Sequence, residues 1–167
     1  MQKKIIYLFL AMMFLSSCKM NYSFSGINIG KGIETFQVNY IPNNAMIVEP
    51  GLNNELRNEL IDRIISRTNL TEAKTDGDLV YEAEITEYSV APVAMTANQT
   101  ASQSRLTIAL KLNYTNTKKE DDNFNKTYTW HYDFAANKSI NAIKEDAHKE
   151  IFEKIIGDIF NETLAKW

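Results

Sequence analysis

Three stretches from residue 79 onward alternate apolar and polar residues with a period of two. In residues 79–90, Leu79, Tyr81, Ala83 and Ile85 point one way and Glu82, Glu84 and Thr86 the other. Residues 106–115 set Leu106, Ile108, Leu110, Leu112 and Tyr114 against Thr107, Ala109, Lys111 and Asn113. Residues 127–135 set Tyr128, Trp130, Tyr132 and Phe134 against Thr127, Thr129, His131 and Asp133. Successive side chains of an extended strand leave on opposite faces, so each stretch reads as a strand with one face to bury and one to wet. The sheet they form must be covered on one side only. An uncharged loop over 93–103, with Met95 as its one large apolar group, joins the first pair. A charged tip over 118–123 joins the second, which makes a meander.

The cover comes from two amphipathic helices. Leu52, Leu56, Leu60 and Ile64 recur every fourth residue after Pro50-Gly51, and Ile61 and Ile65 widen the stripe. The spacing predicts a helix over 52–67. Ala147, Ile151, Ile155, Ile159, Phe160 and Leu164 predict a second helix over 142–166, capped by Asn141. Gly157 sits inside it and suits a close crossing or a bend. Before the first helix, Phe36, Val38 and Tyr40 mark a strand over 35–41, stopped by Pro42-Asn43-Asn44. Residues 71–78, with Gly77, read as a polar turn. The order is β-α-β-β-β-α. The expected fold is α+β: a two-layer sandwich with two helices on one face of a four-stranded mixed sheet, entered by a right-handed crossover.

The N-terminus is of another kind. Lys3 and Lys4 precede a largely apolar run over 5–15, and Leu15-Ser16-Ser17 leads to Cys18, the single cysteine of 167 residues. The run is shorter than the roughly 20 residues a membrane span needs and has the layout of a signal peptide. Cys18 stands where a bacterial lipobox places its acylated cysteine. The other reading is a plain secretory peptide with an incidental cysteine. The first divides the chain into a signal peptide (1–17), a lipidated N-terminus with a short tether (18–30) and a single domain (31–167). Cleavage before Cys18 removes Lys3 and Lys4 and no acid, taking the formal charge from −3 to −5. No basic stripe remains to neutralise phosphates, which argues against a nucleic-acid partner.

Nothing in the chain has the layout of a catalytic centre. Its two histidines lie apart, His131 on the polar face of a strand and His148 on the exposed side of the last helix. Neither has a second ligand at metal-binding spacing. The expected protein is not an enzyme and holds no metal and no cofactor beyond the acyl lipid, palmitate included, on Cys18. The polar sheet face is the more informative surface. It reads either as an ordinary solvated face or as one that meets another polar surface, such as the polar lumen of an outer-membrane barrel, which the uncharged loop over 93–103 could enter with little desolvation of charge.

Several short stretches together resemble the LptE-like lipopolysaccharide-assembly lipoproteins. They are Cys18 with Tyr22-Ser-Phe24-Ser-Gly26; Tyr40-Ile41-Pro42-Asn43; Thr68-Asn69-Leu70; Gly77-Asp78-Leu79; residues 85–93 (Ile-Thr-Glu-Tyr-Ser-Val-Ala-Pro-Val); Arg105-Leu-Thr-Ile108; and the ending from Ile159-Phe160-Asn161 to Trp167. The resemblance implies a lipid-anchored outer-membrane protein on the periplasmic side with a two-layer α/β fold. It implies a partner, the LptD-like β-barrel translocon that inserts lipopolysaccharide into the outer leaflet, which such a protein plugs and helps assemble. It also implies contact with lipopolysaccharide, for which Arg105, Lys111 and Lys118 are candidates by chemistry. Met95, Thr107 and Thr129 are candidate barrel contacts. Two other readings stay open: a stand-alone envelope lipoprotein binding a lipid or small apolar ligand, and an envelope enzyme.

Overall fold

Strand β1 (Thr35–Val38) is followed by helix α1 (Leu52–Arg67), then by strands β2 (Thr71–Glu72), β3 (Leu79–Val93), β4 (Gln103–Asn116) and β5 (Phe124–Ala135), and by helix α2 (Ile140–Thr163). These come from a computed structural model that describes residues 29–94 and 102–165. The strands form one mixed sheet in the order β2-β1-β3-β4-β5. β1 runs parallel to β2 and to β3, and the β3-β4-β5 meander is antiparallel. The α+β class and the two helices are as expected; the sheet has five strands where four were expected. The fifth, β2, lies in the stretch that reads as a polar turn. Both its residues are exposed, and two residues are too few to show an alternation. It exists because Thr71 N–H donates to Glu34 O and Ala73 N–H to Phe36 O as the chain leaves α1.

Local chemistry explains where the elements begin and shift. Gly51 precedes α1 with φ 85°, a left-handed conformation that costs glycine little. α2 begins two residues earlier than expected, with Ser139 rather than Asn141 at its N-cap. Nothing lies within 4 Å of a Cβ built on Gly157, and the helix runs through it unbroken. This glycine therefore serves no close crossing. β3 carries a register shift between Ile85 and Glu87. The extra residue reverses the parity, so Ile85 and Tyr88, three apart, are both buried on the same side.

The core lies between the helices and the apolar sheet face. Leu106, Ile108, Leu110 and Leu112 of β4 are each 0% exposed, with Leu56 and Ile64 of α1 and Phe152, Ile155 and Ile159 of α2. Burying each such side chain contributes about 1.5–3 kcal/mol. Tyr81 and Tyr114 pack with ring centroids 5.2 Å apart. The Tyr81 hydroxyl donates to Thr163 Oγ1 at 3.1 Å, so this buried polar group keeps a partner. His148 departs from expectation. It is buried, not exposed, with Nε2 3.2 Å from the Tyr88 hydroxyl, Nδ1 3.6 Å from Glu55 Oε2, and its ring stacked on Phe152. It sits where α1, α2 and the outer half of β3 meet.

Candidate functional site

The face of the sheet turned away from the helices is the surface that sequence alternation singles out. Along β4 it presents Arg105, Thr107, Ala109 and Lys111; along β5, Thr127, Thr129, His131 and Asp133. Arg105 and Lys111 stand six residues apart, about 20 Å at strand rise. Thr107 lies opposite His131 and Ser89, and Thr129 opposite Ala109. Arg105, Thr107, Lys111 and Thr129 are thus brought onto one surface. Lys118 stands apart in the β4–β5 connection, while Met95 and Cys18 fall outside the described residues.

The charges on this face are largely answered locally. Arg105 faces Asp133 in register and holds it through two bonds, Nε to Oδ1 at 2.7 Å and Nη2 to Oδ2 at 2.8 Å. That fork lowers the Asp133 pKa and raises that of Arg105. Glu82 accepts from Asn39 Nδ2 at 3.3 Å and Asn113 Nδ2 at 2.8 Å, and Glu84 from Asn44 Nδ2 at 2.7 Å. Two carboxylates fixed by amides have the look of a positioned belt rather than of an acid and a base. Lys111 is exposed, directly between Glu84 and Thr127 in register, and lines a shallow groove of about 450 Å³ with Glu82, Glu84 and Asn113. Of the three basic candidates it is the one for which the described contacts give no ion pair.

Lys118 belongs to a different construction. Its Nζ lies 2.9 Å from Asp78 Oδ1. The other oxygen, Oδ2, accepts from Glu34 N at 2.9 Å, Thr35 N at 3.0 Å and Thr35 Oγ1 at 3.0 Å. Asp78 N–H returns a bond to Thr35 Oγ1, and Asp78 O accepts from Thr117 N at 2.9 Å. One carboxylate therefore ties β1, the start of β3 and the β4–β5 connection together. The Glu34 backbone bond first, and then Lys118, hold its pKa well below the carboxylate range. Gly77 makes the approach possible, since a Cβ there would stand 2.8 Å from Gln37 Cβ and 2.9 Å from Gln37 N. Sequence reading noted Gly77-Asp78 as part of a turn and of a family-like stretch, with no role assigned; a glycine and an acid directly ahead of a strand were the available signal.

Three large apolar side chains, Met46, Ile47 and Val48, are exposed side by side in the β1–α1 connection, outside the sheet. Among the described residues no helix is long and apolar enough to cross a membrane. Among them, too, no three His, Cys, Asp or Glu side chains gather as a metal site.

The family model described as LptE, lipopolysaccharide-assembly, matches residues 33–163, which run from just before β1 to the end of α2. The chain belongs to the LptE family. No curated protein sequence matches it significantly. Among solved structures, a hypothetical protein from Chlamydia trachomatis superposes with a TM-score of 0.52 at 10% identity, covering 80% of this chain and 99% of the other. A minor lipoprotein from Acinetobacter baumannii gives 0.49 at 8% identity, covering 76% and 89%. At 10% identity the likeness to the Chlamydia protein is one of fold alone. Within the LptE match lie both the open sheet face and the Asp78 knot.

Proposed function

We propose that this LptE-family chain is a lipoprotein of the outer membrane, held on the periplasmic side by acyl chains on Cys18, that plugs and helps assemble an LptD-like β-barrel translocon for lipopolysaccharide. On this reading residues 1–17 are removed, 18–30 form the lipidated tether and 31–167 the docking domain. The role is non-catalytic. The family match over residues 33–163 carries the proposal. The open sheet face supports it: Glu82, Glu84 and Asp133 are paired with amides and an arginine, so it can lie against a polar lumen without stranding these acids. Thr107 and Thr129, on that face, are the proposed barrel contacts, together with Met95. Lys111 is the better placed of the basic candidates for a lipopolysaccharide phosphate, because Arg105 and Lys118 already hold carboxylates.

The experiment is purification of the tagged protein from detergent-solubilised outer membrane, with photocrosslinkers at Thr107 and Thr129. A large β-barrel in roughly equal amount, crosslinked from both positions, is the expected result; its absence refutes the plug. Cys18→Ala should abolish labelling by radioactive palmitate. One observation favours the runner-up, a self-contained binder of a lipid or small apolar ligand. A hollow of about 350 Å³ at the Asp78 end has Ile29, Ile33, Leu79, Tyr114 and Leu164 in its lining and Lys31, Lys118 and Lys119 beside them. Co-purification of a lipid in place of a barrel would move the assignment there.

A further inference from the structure

We infer that residues 22–27 fold back onto the domain and seat the Phe24 ring in the hollow at the Asp78 end, so that this segment is a docked strap and not a loose linker. The inference goes beyond both readings of function, because it needs neither a barrel nor acylation of Cys18. The way the chain enters the domain carries it. A turn over 30–33 reverses the chain just ahead of β1: Ile33 N–H donates to Gly30 O at 3.3 Å, and Gly32 takes φ 83°, which costs glycine little. The residues before the turn are thereby directed back over the domain. Ile29 and Ile33, on either side of the turn, both pack against the core. Ile29, Gly30, Lys31 and Ile33 also form one wall of the hollow, and Leu79, Tyr114 and Leu164 stand in the others. The chain ahead of residue 29 therefore starts at the rim of a recess with an apolar lining.

The chemistry of the recess suits an aromatic side chain. Its polar lining groups are answered within the domain. Asn116 Oδ1 accepts from Lys118 N at 2.9 Å and from Lys119 N at 3.0 Å. Thr163 Oγ1 accepts from the Tyr81 hydroxyl and donates to Ile159 O at 2.8 Å. Lys118 holds Asp78, and Lys119 holds Asp122. What the recess has left to offer is mainly apolar surface. Residues 19–28 match it: they contain no acid and one base, Lys19, and they carry Tyr22, Phe24 and Ile27 close to the rim. Five residues separate Phe24 from Ile29, a reach of at most about 18 Å. The volume of about 350 Å³ corresponds to roughly 7 Å on a side, so the ring can enter. A segment tied this closely acts at an effective concentration in the millimolar range. A lipid or small apolar ligand must overcome that advantage to displace it. With Cys18 acylated as proposed, docking at Phe24 shortens the working tether from eleven residues to six, or from about 40 Å to about 20 Å when extended, and holds the Asp78 end toward the lipid surface.

The test is photocrosslinking within the full-length protein, purified in detergent micelles, with p-benzoylphenylalanine in place of Phe24. The expected product is an intramolecular crosslink to Ile33, Leu79, Tyr114 or Leu164, mapped by mass spectrometry of the monomer band. Ile33→Asp sets a carboxylate in the recess from a position that is only partly buried. It should lower that crosslink about tenfold while the far-UV spectrum is unchanged. Chymotrypsin should also cut after Tyr22 and Phe24 about tenfold faster in Ile33→Asp than in the unsubstituted protein, because cleavage follows the population of the undocked segment. Crosslinks from position 24 that reach only detergent, added lipid or a second copy of the chain overturn the inference. So does a crosslink yield or a cleavage rate that Ile33→Asp leaves unchanged.

Discussion

Asp78→Ala should cost this small domain a large part of its stability, and the cost can be worked from the contacts. The substitution removes the acceptor for Glu34 N–H, Thr35 N–H and Thr35 Oγ1, all within 3.0 Å, and the partner of Lys118. Hydrogen bonds to a charged group contribute about 1.5–3 kcal/mol each. Here they share one carboxylate, so they do not add in full. The Lys118 side chain is 47% exposed, which limits that pair to at most about 1 kcal/mol. The expected loss is about 3–4 kcal/mol, or about 10 °C in Tm for a domain of this size. Asp78→Asn keeps one acceptor and should lose about half as much. The sign with pH follows from the lowered pKa. The carboxylate's contribution is fully present above its ordinary value of 3.8 and is lost as pH falls below it toward the folded-state value. The gap between wild type and Asp78→Asn should therefore be constant from pH 7 to 5 and narrow below pH 4. Urea unfolding followed by circular dichroism measures both. A loss under about 1 kcal/mol for Asp78→Ala would refute the reasoning that this carboxylate ties three segments together.

Three further outcomes are expected. Burial pushes the His148 pKa below its ordinary 6.5, against the opposing pull of Glu55 and Glu49. The unfolded chain then binds the proton first, so wild-type stability should fall as pH drops from 7 through 6, and His148→Leu should flatten that slope in the same unfolding series. Gly157→Ala should stabilise by about 1 kcal/mol, seen as a raised Tm, because the added methyl meets nothing within 4 Å and the helix gains propensity. Arg105→Ala should leave the urea unfolding midpoint nearly unchanged, since the Arg105–Asp133 pair is 38% and 32% exposed and screened by solvent. A large loss there would mean that the open face carries structural weight which its contacts do not explain.

Parts of the candidate site were readable without coordinates and parts were not. That Arg105, Thr107, Lys111 and Thr129 share a face follows from even spacing on strands of known sidedness, and the structure places them so. That Arg105 is already held by Asp133 was not readable, because the β4–β5 register depends on the whole hairpin. His148 misled for a related reason. Its neighbours in sequence are charged, and the partners that bury it come from α1 and from β3 beyond a bulge.

What the sequence by itself determined are the elements and their faces. Period-two alternation in residues 79–85, 106–114 and 128–134 and the stripes of both helices leave one sensible way to hide the apolar side chains, and a two-layer sandwich satisfies it. What only the tertiary structure decided are the features that depend on pairings distant in the chain. These are the two-residue β2, the shift at Ile85 and Glu87 that brings Tyr88 inward, the Asp78 knot across more than forty residues, and the hollow at the Asp78 end. Side-chain periodicity is a local property written residue by residue. Register, close approach and burial of a lone polar group arise only when separate elements meet, and no short stretch of sequence contains both partners.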